Sequence, residues 1–477
     1  MRGRTNANVG IELNGAIQEY EVASGETIEA GDFVELTNDN RSGIYQYIGN
    51  STNNWNRIYN NVSCFEMSSN LYVVMSMSDY WKIYLIDISN GFVVLDTYIT
   101  DVVYNDNYIE YGVTLGQACK ISDTRFAVSL LSQLKAVGAS NLYLFAVENN
   151  KLVLKNTLDI SHGGTVATYN SQLLVIGISL ENTKSYLYYY TVNYTSDKLS
   201  VDKSGSFTSS QVNSLACMNT SGKYCYIVCL TLTKINDGFY MLESLESPEA
   251  SGYRGFWKFI ISNGSFPSDI TEVYSNSASS TAKIKSGSIS MFDDWNFYIG
   301  GSYSPSSTNY TTPYVYSISG TDVTGFFNLG SVIYFYYAQA AYYMFFKVSY
   351  NKYLAFCIVK SGGSYNEKDC LCLFEYVSST KTFNLLQQTL VKDLFGTSYT
   401  GDGKTVLAYI PIDDENGYVL SGGNNDNNGF MVTKLNFTNN IITSSNSVLV
   451  KSMSNVISGV AKQSGSAGDN ILVYTPK

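Results

Sequence analysis

The stretch Ala167-Thr-Tyr-Asn-Ser-Gln-Leu-Leu-Val-Ile176, followed by Tyr186-Leu-Tyr-Tyr-Tyr-Thr-Val192, decides the fold of this chain. A small residue opens it, Asn-Ser supplies a polar turn, and four apolar residues follow in a row. A short apolar run bounded by turn residues fits a strand buried on both faces. The second run is aromatic and β-branched, which fits a strand in the same sheet.

The same form returns on either side of this stretch. Its openings are Cys64-Phe-Glu-Met-Ser-Ser-Asn-Leu-Tyr-Val-Val74, Cys119-Lys-Ile-Ser-Asp-Thr-Arg-Phe-Ala-Val128 and Cys217-Met-Asn-Thr-Ser-Gly-Lys-Tyr-Cys-Tyr-Ile-Val228. Later ones are Ile289-Ser-Met-Phe-Asp-Asp-Trp-Asn-Phe-Tyr-Ile299, Tyr343-Met-Phe-Phe-Lys-Val-Ser-Tyr-Asn-Lys-Tyr-Leu-Ala-Phe356 and Ala408-Tyr-Ile-Pro-Ile-Asp-Asp-Glu-Asn-Gly-Tyr-Val-Leu420. Aromatic second runs start at Lys82, Leu142, Gly255, Tyr314, Cys370 and Gly429. A turn such as Asn149-Asn150 and an outer strand close each unit. The pattern gives about seven four-stranded units of roughly 45–65 residues, the form of a β-propeller. A β-helix would repeat at a shorter, stricter period, and a string of sandwiches would show linkers between domains. The small residues Cys64, Cys119, Ala167 and Cys217 suit the crowded region near a propeller axis.

Composition agrees with an all-β chain. Of 477 residues, 15% are charged and 14% aromatic, with 41 Tyr and only six Pro. Tyr, Ser, Asn, Thr and Gly favour strands and tight turns over helices. A net charge of −10 without a Lys/Arg-rich run argues against nucleic-acid binding. No apolar run reaches about 18 residues, so no membrane insertion is expected. The N-terminus has no apolar core of signal-peptide length. The eight cysteines form no Cys-x-x-Cys, and Cys225/Cys229 and Cys370/Cys372 sit at same-face strand spacings ill suited to a bridge. Reduced, buried thiols and assembly in a reducing cytoplasm follow.

Motifs for chemistry are sparse. The single histidine, His162, lies in Asp-Ile-Ser-His-Gly-Gly between two units and reads as a turn residue. One histidine leaves no room for a multi-histidine metal centre, and a Ser-His-Asp triad elsewhere is excluded. Asn424-Asn-Asp-Asn-Asn-Gly429 resembles the front of a calcium loop, but the position for its bidentate acid holds Leu435. Asp413-Asp-Glu-Asn-Gly417 reads as a turn, and Gly362-Gly-Ser has no following helix with which to cradle phosphate. No acid pair of glycosidase type stands out, and no sialidase Ser-x-Asp-x-Gly-x-Thr-Trp box is present. The tyrosines at 188–190, 334–337 and 342–343 exceed what one strand face buries. Most fit packing between units, and a few could form a glycan- or protein-binding rim. No cofactor, no metal and no catalysis are expected.

The two ends echo one another. Gly25-Glu-Thr-Ile-Glu-Ala-Gly-Asp-Phe-Val-Glu35 and Val460-Ala-Lys-Gln-Ser-Gly-Ser-Ala-Gly-Asp-Asn-Ile-Leu-Val473 each set Ala-Gly-Asp before a short apolar run. They resemble the opening and closing halves of the small β-barrel module of tailed-bacteriophage structural proteins, found in capsid decoration (cement) proteins and in some tail fibres. In the plain decoration proteins the halves adjoin, whereas here the repeat region lies between them. The resemblance implies a structural role for Ala30, Gly31, Asp32, Ala467, Gly468 and Asp469, with Gly making the turn and Asp its local hydrogen bonds. It brings no catalytic residues.

The sequence therefore predicts an all-β protein, a seven-bladed β-propeller inserted in a small β-barrel module formed by the N- and C-terminal segments. Residues 1–15 are an arm, 16–55 and 451–477 the split attachment module, and 56–450 the propeller. The resemblance implies a virion protein, assembled in the host bacterial cytoplasm and present in multiple copies. It would dock on the major capsid protein or other virion proteins and project the propeller outward as a decoration. The alternative is a tail fibre or receptor-binding protein whose propeller loops hold host cell-surface glycans. A propeller glycosidase comes third.

Overall fold

The computed structural model describes residues 17–22, 27–28, 30, 33–36, 41–46, 63–77, 80–89, 91–103, 114–132, 139–181, 184–206, 227–236, 239–246, 253–260, 270–277, 289–292, 296–299, 314–319, 322–328, 344–360, 367–390, 394, 406–422, 429–444, 448–451, 459–461, 464–466 and 470–474. The protein is all-β and propeller-like, a succession of four-stranded antiparallel sheets in which each strand pairs with the next in sequence. The first sheet is Ser63–Ser68, Leu71–Met77, Tyr80–Asp87 and Val93–Val103. The second is Thr114–Ser122, Arg125–Ser132, Ala139–Glu148 and Lys151–Ile160. The third is Gly164–Tyr169, Gln172–Glu181, Lys184–Thr195 and Lys198–Ser206. The fourth runs from Ile227–Asn236 to Ile270–Ser277, the fifth from Ile289–Met291 to Asp322–Asn328, and the sixth from Met344–Lys347 to Thr382–Leu390. The seventh is Val406–Pro411, Asn416–Gly422, Gly429–Asn436 and the two-residue strand Thr443–Ser444.

Leading strands adjoin from the first sheet through the fourth and from the fifth through the seventh, and that of the seventh lies against that of the first. The second strands of the first and second sheets are buried on both faces because each of these sheets packs between two others. Leu173, Leu174, Val175 and Ile176 are all fully buried, as are Val73, Val74 and Met75. Each such side chain contributes about 1.5–3 kcal/mol of transfer free energy. Alternate residues serve opposite interfaces. Trp81, Ile83 and Leu85 pack on Phe126, Val128 and Leu130 of the second sheet, while Tyr84 and Ile86 pack on Ile410, Tyr418 and Val432 of the seventh. Val166, Leu173, Val175 and Val192 pack on Ala127, Leu142 and Leu144.

Polar groups sew the sheets together where backbone amides would otherwise lack acceptors. Asp96 in the outer strand of the first sheet accepts from Leu152 N of the second at 2.8 Å. Asn156 in the outer strand of the second accepts from Leu199 N of the third at 3.0 Å. Near the centre, Ser63 Oγ accepts from Ala118 N, and Ser129 Oγ from Gly164 N, both at 3.0 Å. Gln117 reaches past the third sheet to the fourth: its Nε2 donates to Leu232 O at 2.7 Å and its Oε1 accepts from Leu232 N at 3.0 Å.

A β-bulge recurs in the outer strands. One extra residue, Leu95, Lys155, Asp202, Val273, Phe326 or Leu386, interrupts the pairing of the fourth strand with the third in the first six sheets. A bulge tightens the twist and bends a strand, and it also blunts an exposed sheet edge. The turns into these strands hold residues at positive φ, such as Asn149 and Asn150 at 51° and 60°, and Ser196 and Asp197 at 52° and 59°. Positive φ at both centres marks the hairpin turn whose twist matches the strands.

The order of elements differs from the sequence-based expectation in three places. The first strand of the fourth sheet is Ile227–Asn236, so its inner hairpin lies later than the motif at Cys217, which falls outside the described residues. Arg41–Gln46, expected in the terminal module, pairs with Gly429–Thr433 on the edge of the seventh sheet. Val448–Lys451, expected to end the propeller, pairs with the terminal strands Ile17–Val22 and Phe33–Leu36. An alternating apolar run fits either partner, and only the neighbour it meets decides between them.

Candidate attachment module

The two ends of the chain fold on each other. Ile17–Val22 runs antiparallel to Asn470–Tyr474, with Ile17 opposite Tyr474 and Glu21 opposite Asn470. Phe33 and Val34 lie opposite Val460 and Gly459. Gly459–Ala461 pairs in turn with Asn470–Tyr474, so the pairing of Ile17–Val22, Val448–Lys451, Phe33–Leu36, Gly459–Ala461 and Asn470–Tyr474 closes on itself. A closed set of strands has no exposed edge.

The halves meet where the sequence echo lies. Thr27 and Ile28 pair with Ser466 and Gly465, and Ile28 is fully buried. Ala30 is exposed in a turn, and its backbone N–H donates to Ser464 Oγ at 2.9 Å. Gly31, Asp32, Ala467, Gly468 and Asp469 lie outside the described residues. Their flanking residues each pair across the two ends: Ala30 with Ser464, Phe33 with Val460, Ser466 with Thr27 and Asn470 with Glu21.

Elsewhere the side chains with reactive groups are engaged in structure. His162 sits in the crossing from the second sheet to the third, half-buried, with its ring stacked on Tyr188 at 4.0 Å between centroids. Tyr190 is buried beside it, and burial pushes its hydroxyl above the usual phenol range, offset by hydrogen bonds with Ser161 and the His162 backbone. Tyr189 lies on the other face, its ring over Gly205, where a Cβ would come within 2.6 Å of the Tyr189 hydroxyl. The three tyrosines are thus divided between two faces, two of them at the His162 crossing. The tyrosines at 334–337 and 342–343 are outside the described residues, as are Asn424–Asn428 and Gly362-Gly-Ser.

Asp413 makes a turn: its Oδ1 accepts from Glu415 N at 2.8 Å and from Asn416 Nδ2 at 3.0 Å. Burial works to raise its carboxyl, but these hydrogen bonds outweigh it and hold the group below the usual range. Cys64, Cys119, Cys370 and Cys372 form no disulfide, and Cys370 Sγ accepts a hydrogen bond from Gln388 Nε2 at 3.4 Å. Burial pushes the thiols of Cys64 and Cys119 up to about 12, which keeps them protonated and poorly nucleophilic. Among the described residues no cluster of His, Cys, Asp and Glu could hold a metal ion, and no helix is long and apolar enough to cross a membrane. Sequence reasoning missed the polar cross-sheet contacts of Asp96, Asn156 and Gln117. Their partners are backbone amides and carbonyls, which leave no trace in residue type.

No protein-family model matches the chain, and no curated protein matches it in sequence. Among solved structures it is similar to a protein from Bacteroides uniformis assigned as a 6-phosphogluconolactonase, at 12% identity over 78% of this chain and 93% of that one, with a TM-score of 0.44. It is also similar to the acylaminoacyl peptidase of Pyrococcus horikoshii, at 8% identity over 81% of this chain and 52% of that one, with a TM-score of 0.37. The chain thus spans about half the length of the peptidase. These neighbours are enzymes, and the expectation that the chain is not an enzyme is corrected accordingly. That expectation rested on missing local motifs, whereas a site assembled from residues distant in sequence leaves no such motif. Likeness at this level assigns no reaction or substrate to the chain.

Proposed function

We propose that the chain is a virion protein of a tailed bacteriophage. In this reading its sheets are the blades of a seven-bladed β-propeller, carried by a small β-barrel module that docks on the capsid lattice. The observation that carries it is the hydrogen-bonded pairing of the two end segments that resemble the halves of a decoration-protein module. A separate foot of this kind, built from both termini, leaves the large body free to project from the surface. The partner is the major capsid protein or another virion protein, and the copies follow the lattice.

A second reading puts the same architecture on the tail as a receptor-binding protein. Tyr350 favours it: this residue is 90% exposed in the turn of the sixth sheet's inner hairpin, and an exposed tyrosine suits glycan contact. Gold-labelled antibody on virions made from the encoding genome separates the readings. Gold over the heads supports decoration, gold at the tail supports host attachment, and virions without gold overturn both.

A further inference from the structure

We infer that the terminal module is the clasp of the circuit of sheets, because it holds Arg41–Gln46 against the open edge of the seventh sheet. In the first six sheets the fourth strand spans seven to eleven residues, as in Asp322–Asn328 and Val93–Val103. In the seventh it is Thr443–Ser444, which covers only Asn436 and Leu435 of the third strand. Arg41–Gln46 covers the remainder, with Gln46 opposite Gly429, Tyr45 opposite Phe430, Ile44 opposite Met431 and Gly43 opposite Val432. Without this strand the backbone of Gly429–Thr433 would present an unpaired edge on the sheet that packs against the first.

The covering strand comes from the far end of the chain, so placing it closes a loop of several hundred residues, from Gln46 to Gly429, and closure entropy grows with loop length. Forming the module meets that cost once for both contacts. Phe33–Leu36 and Val448–Lys451 pair within it, and residues 37–40 and 445–447 lead directly from them to the two strands on the seventh sheet's edge. Residues 37–40 can span at most about 18 Å. A formed module therefore keeps Arg41–Gln46 beside its place at high effective concentration. The module and the seventh sheet's edge form and open together, whether or not the module also docks on a virion.

Hydrogen exchange by mass spectrometry on the full chain tests this with Ile28→Ala, which hollows the buried contact of the module. The expected result is exchange at least tenfold faster in peptides covering 429–433, with peptides covering 71–77 unchanged. No change at 429–433, or an equal rise in both regions, would overturn the inference. Ser464→Ala, at an exposed position, carries the same readout with a smaller shift of about threefold if Ile28→Ala does not accumulate as folded protein.

Discussion

The backbone amide of Ala30 donates a 2.9 Å hydrogen bond to the hydroxyl of Ser464, 434 positions further along the chain. The bond sits beside the short ladder of Thr27–Ile28 with Gly465–Ser466, so it reports directly on whether the ends are joined. Replacing Ser464 by Ala removes the acceptor and should lower stability by about 0.5–1.5 kcal/mol. Chemical denaturation of the two proteins side by side measures this, and equal midpoints would show that the contact contributes nothing.

A second contact of long reach joins the second and third sheets. Arg125 Nε and Nη2 donate to Asp197 Oδ1 and Oδ2 at 2.5 and 3.0 Å, a paired geometry suited to guanidinium and carboxylate. The hydrogen bonds that Arg125 donates hold the Asp197 carboxyl below its usual range and raise the guanidinium. A carboxyl lowered on folding stabilises the folded state above its unfolded pKa and loses that contribution as pH falls through the folded one. The stability gap between the natural chain and Asp197→Asn should therefore be constant near neutrality and shrink below about pH 4. Thermal melts across that window provide the check, and a gap that widens with acid would contradict the pairing.

The thiols give a chemical test of packing. Cys64 and Cys119 are raised to about 12 by burial, so they should resist alkylation by iodoacetamide at pH 8 in the folded protein. Both should react within minutes in denaturant. Labelling followed by peptide mass spectrometry reads this out, and rapid native labelling of either residue would mean the inner strands are open.

Gly177 marks a tight crossing of two backbones. A Cβ there would lie 2.4 Å from the carbonyl carbon of His162 and 2.5 Å from the nitrogen of Gly163, both backbone atoms that cannot rotate away. Gly177→Ala should cost about 3 kcal/mol and should also disturb the stacking of His162 on Tyr188. Denaturant unfolding gives the first number. The fluorescence or ring resonances of the tyrosines report the second, and a neutral substitution would place the crossing loop elsewhere.

Much of the fold was legible because it depends on local signals. Leu173–Ile176 reads as a doubly buried strand from four apolar residues in a row, and Asn149-Asn150 reads as a hairpin turn from its side chains alone. The echo of Ala30-Gly31-Asp32 in Ala467-Gly468-Asp469 pointed to ends that meet, and their flanks do pair. What stayed hidden depends on partners. Arg41–Gln46 and Phe33–Leu36 are similar short strands, yet one completes the seventh sheet and the other the terminal module. The bulges at Leu95, Lys155 and Asp202 share a place in the ladder but not a residue type, so no motif reveals them. The contact of Gln117 with Leu232 uses only backbone atoms of its partner.

Cross-linking mass spectrometry of purified virions tests the central claim most directly, since it needs no altered chain. Amine-reactive links from this protein to the capsid should concentrate on Lys451 and Lys462, which belong to the terminal segments. Links that come only from lysines of the sheets, such as Lys155, Lys203 or Lys381, would contradict attachment through the module, and a virion lacking the protein would contradict the proposal altogether.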